Sequence, residues 1–157
     1  RPFIRRAFDF RFTSRAEIAA FKGWLAARAG RLVAFWQPGW ETSIVPTRKI
    51  LSNQTVMTVA ARGYALYFNP MPGRTEAAFL HKNGTWYYRT ILSFGAGTIN
   101  EEETMTLDQT FGFDANPEDW LAITFLEKSR LDSDQIELHW ISDRIVESAL
   151  PVKSIKA

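Results

Sequence analysis

The chain has 157 residues, enough for about one domain with a real hydrophobic core. Its 46% hydrophobic and 23% charged residues mark a globular composition, and 19 basic against 17 acidic side chains leave a net charge of only +2. That balance argues against specific nucleic-acid binding, which needs a concentrated basic patch. The lack of cysteine removes disulfides and thiolate chemistry, and no apolar run approaches the ~20 residues of a membrane span or anchor.

In chain order, residues 6–12 (RAFDFRF) alternate strictly, with Phe8, Phe10 and Phe12 on one face. That is the period of a half-buried strand, and its interleaved arginines suit the solvated face of an edge strand. Residues 14–29 predict an amphipathic helix. Ser14 and Glu17 form a capping box, Ile18, Phe21, Trp24 and Leu25 make one apolar stripe, and Gly30 suits the left-handed residue past the helix end. A strand over 31–36 runs into the Pro38-Gly39 turn. Residues 41–53 read as a loop, 55–61 as a strand and 64–68 (YALYF) as another.

Residues 77–82 and 85–92 flank Asn83-Gly84, a hairpin signal that points to a type I′ turn. Residues 94–103 read as a flexible acidic link and 105–111 as an alternating strand, with one helical turn over 117–120. Strands at 121–131 and 135–142 are expected to pair around the Asp132-Ser133-Asp134 turn. A last strand over 144–155 follows, with Pro151 placing its end at a sheet edge. The fold class is therefore mainly β with α+β character: an antiparallel β-sandwich or barrel with one packed helix, in a single domain spanning 1–157. An opening at Arg1 rather than Met predicts a piece of a longer polypeptide.

Chemistry-bearing patterns are sparse. His81 and His139 stand alone, without HxH or HExxH spacing, so no metal site is expected. No serine sits in a GxSxG elbow, and no catalytic residue is assigned. Glu101-Glu102-Glu103 read as a solvated run and Asp132/Asp134 as turn caps, although a carboxylate pair between them would suit a small hydrolase. FGAGT (94–98) lacks the spacing of a nucleotide cradle, and no cofactor is implied. WYYRT (86–90) could stack bases in a sheet-type RNA reader, but it fits a strand packed on both sides more simply.

Two blocks carry a resemblance. The run T-S-x-x-E-I…F…W-L-x-x-R-x-G-R-x-x-A-F-W-x-P-x-W over 13–40, and I-T-F-L-E-K-S-R-L-D-S-D-Q-I-E-L-H-W-I-S-D with V-E-S-A-L-P-V-K-S-I over 121–155, resemble tail-tip proteins of long-tailed bacteriophages and prophages, of the distal-tail or baseplate-hub type. The positions matching that motif are Arg28, Gly30, Arg31, Phe35, Trp36, Pro38 and Trp40. The resemblance implies a non-enzymatic virion component at the tail tip, made in the bacterial host cytoplasm. It would assemble as a homo-oligomeric ring with tail-tube, tape-measure or tail-fibre proteins. Among the motif residues, Gly30 would stop the helix, Phe35 enter the core and Pro38 set the turn, with Trp36 and Trp40 as core lids or contact residues. Loops 41–53 and 94–103 are the segments expected to meet neighbours. The alternative is a carbohydrate-binding β-sandwich using Trp36, Trp40, Trp86 and Tyr88 as sugar platforms.

Overall fold

A computed structural model describes residues 5–39, 44–69 and 74–155. The expected class is the one observed, mainly antiparallel β-sheet with two helices. The chain divides into two compact units, residues 1–37 with 128–156, and residues 38–127.

In the first unit, strand β1 (Arg5–Phe12) leads into helix α1 (Arg15–Arg28). Ser14 Oγ accepts the Glu17 N–H at 3.2 Å, and the Glu17 carboxylate accepts the N–H of Thr13, one residue earlier than in a standard box. At the other end Ala29, not Gly30 alone, adopts positive φ (47°), followed by Gly30 at 62°. The Val33 N–H then bonds back to the Arg28 carbonyl at 3.0 Å, so residues 31–33 close the helix instead of starting a strand. Strand β2 is accordingly Phe35–Pro38, shorter and later than expected.

The unit's sheet centres on the last strand, β9 (Val146–Ser154). β1 pairs with it antiparallel from Arg5↔Lys153 to Phe12↔Val146. On its other side lie the end of β7 (Trp120–Leu131) and the two-residue β8 (His139–Trp140). Two expectations are corrected here. Residues 135–142 do not pair with β7, because β9 already occupies residues 129–131 of that strand. Pro151 also lies in the central strand. Its carbonyl accepts the Asp132 N–H at 3.0 Å just past the end of β7, so the N–H that proline lacks meets no strand on that side. Leu131, Leu150 and Val152 form the buried centre, and the stripe residues Phe21, Trp24 and Leu25 pack on it with Phe8, Phe35 and Ile136.

The second unit contains β3 (Val56–Ala60), α2 (Tyr64–Tyr67), β4 (Glu76–His81), β5 (Trp86–Ala96), β6 (Glu102–Leu107), a 3-10 turn over Pro117–Asp119 and the first part of β7. Its strand order is β7-β4-β5-β6-β3. Strand β5 gives its first half to β4 and its second to β6, with an irregularity between Ile91 and Ser93 that leaves Leu92 exposed. Such a bulge re-aims a strand, so one long strand serves two pairings. Phe79, Met57, Met105, Leu107, Val59 and Ile123 are fully buried, and aromatic rings pack round them: Phe79–Phe111 at 5.1 Å, Phe111–Trp120 at 4.8 Å and Tyr64–Phe94 at 5.2 Å.

Three further expectations fail in this unit. Residues 64–67 are a helical turn, not a strand. Residues 94–103 are no flexible link, because 94–96 finish β5 and 102–103 begin β6. The β4–β5 hairpin forms as expected, but of its turn residues only Gly84 has positive φ (86°), and its N–H bonds to the His81 carbonyl at 2.9 Å. This is a type I turn closed by a left-handed glycine, the three-residue alternative to type I′. In the predicted loop 41–53, residues 41–43 lie outside the described residues. Beyond them Ile44 and Ile50 are buried, and Pro46 and Ile50 bridge to Val59 and Ala115.

Candidate functional site

Of the motif residues, Gly30 and Arg31 lie against Asp134 of the 132–134 turn in the first unit. Because Ala29 and Gly30 are both left-handed, the chain reverses sharply and presents the Arg31 N–H outward. Asp134 takes it: Oδ1 accepts from the Arg31 backbone at 2.9 Å and Oδ2 from its Nε at 3.2 Å. The same carboxylate fills the space where a side chain at 30 would begin, 2.5 Å from an ideal Cβ. Positive φ is what favours glycine at 30, since the Asp134 carboxylate, at the end of a flexible side chain, can shift to admit a methyl group. The backbone hydrogen bond from Arg31, aided by its guanidinium charge, holds the Asp134 carboxyl below the ordinary range. The two sequence blocks that carry the resemblance therefore meet here through Arg31 and Asp134.

The remaining motif residues fall into packing and surface roles. Arg28 donates from Nη1 to the Ala34 carbonyl (3.4 Å) and lies over the Trp24 ring at 5.5 Å. Phe35 meets Trp24 edge-on at 5.0 Å within the core. Trp36 is 44% exposed, with Lys128 Nζ 5.8 Å from its ring, and Pro38 closes β2. Trp40 lies outside the described residues.

Two shallow grooves lie in other parts of the first unit, among the described residues. One, of about 440 Å³, is lined by Asp9, Phe10, Arg11, His139 and Glu147 along β1 and β9. The other, about 370 Å³, lies between α1 and Trp140, where Lys22 Nζ stands 5.5 Å from the indole.

The acidic run corrects the expectation of a solvated face. Glu102 and Glu103 are buried. Glu102 pairs with Arg48 at 2.9 Å. Glu103 lies on the core face of β6, in register with Val59 of β3. Its Oε2 accepts the N–H groups of Arg62, Gly63 and Tyr64 at 2.8, 3.0 and 3.2 Å, and Oε1 that of Ala65 at 2.9 Å. These are the free donors at the start of α2, whose preceding Gly63 has φ 79°. Burial opposes ionisation of Glu103, but the four N–H donors outweigh it and lower its pKa. A carboxylate so saturated braces a chain reversal and is poorly suited to proton transfer.

Asp119 plays a similar part. Its carboxyl is held down first by the Lys82 ammonium (2.7 Å), then by the Asn116 N–H (2.9 Å). His81 packs among Phe113, Trp120 and Tyr87, and its Nδ1 accepts the Asn83 N–H. His139 is exposed, 3.8 Å from Glu137. Among the described residues no group of three His, Asp or Glu side chains could hold a metal ion, and no helix is long and apolar enough to cross a membrane.

No protein-family model matches the chain, and no curated protein is significantly similar to it.

Glu103 carries the densest polar anchor, and neither it nor Asp134 was singled out from sequence as a tie between distant segments. For Glu103 a signal existed. The alternation through Met105 and Leu107 extends back to position 103 on the same inward face, so a carboxylate there needs buried partners.

Proposed function

We propose that this protein is a non-enzymatic structural subunit that assembles with copies of itself and with neighbouring proteins, in the setting its sequence resemblance suggests, the tail tip of a long-tailed bacteriophage or prophage. The observation that carries the assembly reading is β1. It is an eight-residue strand that pairs, among the described residues, with β9 alone, so its outer edge offers backbone donors and acceptors to a partner. Exposed Leu32, Val33, Trp36, Trp140 and Ile141 in the same unit add apolar area of the kind interfaces cover. The densest carboxylate sites, at Glu103, Asp119 and Asp134, are engaged in holding backbone turns, which suits a rigid scaffold.

Immunogold electron microscopy on particles from the source lysate, with antibody raised against this chain, tests the reading. Gold confined to the tail tip is the expected result. Unlabelled particles with antigen in the soluble fraction would overturn it and turn attention to glycan binding through exposed Trp36 and Tyr88, checked on a glycan array.

A further inference from the structure

We infer that the outer edge of β1 pairs antiparallel with β1 of a second copy of this chain, about a two-fold axis passing through Phe10. The inference deepens the assembly proposal by naming partner and register.

The strand's own pattern selects the register. β1 pairs with β9 without a bulge, so alternate residues direct their backbone N–H and C=O outward. Two such edges can join only with residues of like parity opposite one another, which restricts the two-fold axis to a residue, not a peptide bond. An axis at Asp9 sets Asp9 against itself, one at Arg11 sets Arg11 against itself, and one at Phe8 sets Arg5 against Arg11. Like charges directly opposite are destabilising. An axis at Phe10 sets Phe10 against Phe10, each Phe8 against Phe12, and each Asp9 against Arg11. Every one of these pairs is aromatic–aromatic or opposite in charge. An axis at Ala7 also opposes charges, Arg5 to Asp9, but it places Arg6 against Phe8 and leaves the aromatic ladder unpaired.

Burial agrees with the choice. Phe8 and Phe12 are partly covered within their own unit, whereas Phe10, the residue at the axis, is 37% exposed. Its ring already stacks on Phe12 at 6.1 Å, so a second copy would extend an existing aromatic row. Arg11 pairs with Glu147 at 3.4 Å while remaining exposed, and can take Asp9 of the other copy on its outer side. The contact is isologous and closes at two copies, so it would join protomers in pairs instead of propagating a ring.

Cysteine-free sequence makes the register measurable. Phe8→Cys, Asp9→Cys, Phe10→Cys and Arg11→Cys would be prepared singly in the full chain, and each oxidised under dilute conditions. Only position 10 faces itself, with Cα atoms about 4.5–5.5 Å apart, inside the disulfide window. Positions 9 and 11 are offset by two residues, about 8 Å between Cα atoms, and position 8 by about 14 Å along the strand. The expected result is a dimer by sedimentation for the unaltered chain and rapid cross-linking at position 10 alone. Arg11→Glu, checked for folding by circular dichroism, should weaken the dimer about tenfold or more. A monomer at all concentrations, equal rates at the four positions, or fastest linkage at 9 would overturn the proposal. None of these outcomes bears on tail-tip labelling, so failure of the register and failure of the structural role remain distinguishable.

Discussion

The two compact units solve the same problem with unequal means. In the unit of residues 38–127, sixteen buried residues form one cluster among the described residues, drawn from five strands and from the segments between them. In the other unit the buried cluster is Leu131, Leu150 and Val152, and six half-covered side chains, four of them aromatic, supply the rest. Large rings can contribute burial while keeping one face accessible, so a small core is built from them readily. The difference lies in the cores, not the surfaces. One unit has an extensive buried cluster and the other a small one finished by half-covered rings, while both leave large apolar side chains exposed, Phe10, Trp36 and Trp140 in one and Leu66, Tyr67 and Tyr88 in the other.

This contrast can be broken or sharpened by substitution. The largest effect is expected at Phe79→Ala, which empties a fully buried position touching Phe111 and Trp120, at a cost of about 3–5 kcal/mol in urea unfolding. Leu150→Ala in the smaller core should cost about 2–3 kcal/mol, since half-covered neighbours can relax into the gap. Equal losses at the two positions would abolish the distinction between the units.

Glu103→Gln should cost about 2 kcal/mol, because an amide can accept at only one of the two oxygens that now serve four N–H groups. Hydrogen exchange should speed first at Arg62 to Ala65. The same residue sets an acid limit. Its folded pKa lies below the ordinary value of 4.5, so its contribution is complete above that value and is lost as pH falls through the lowered folded one. A urea series from pH 6 to pH 3 should therefore fall less steeply in Glu103→Gln than in the unaltered chain. Smallest is Gly30→Ala, at about 1–2 kcal/mol for the positive φ, with displacement of Asp134 visible as a shift of the Arg31 amide resonance.

How much could be read in advance follows from range. Helix α1, the hairpin at 83–84 and strands β1, β3 and β9 were legible because each is announced within a dozen residues, by a cap, a turn pair or an unbroken alternation. Residues 64–67 were not. Tyr-Ala-Leu-Tyr has no strong preference, and its helical turn exists because Glu103, some forty residues on, takes up the N–H groups that a first turn leaves free. The pairing of 135–142 misled for a related reason. Neighbouring strands in sequence usually pair, but here the place beside β7 is held by β9. Of the two crossings between the units, the one after Gln37 falls at Pro38-Gly39, whereas the other falls inside β7, between Glu127 and Lys128, where no proline, glycine or change of composition marks it.

Of the motif residues, the turn at Gly30 and the inward placing of Phe35 were readable, since backbone freedom and hydrophobicity belong to the residue itself. The hold of Asp134 on Arg31 was not, because a charged side chain near a turn has many partners available to it until the fold brings one within 3 Å. Local chemistry thus settles which segments bend, cap and alternate. The pairing of distant segments settles which strand is central, which carboxylates are buried and which edge is left open, because those outcomes depend on neighbours that the chain supplies only after it has folded.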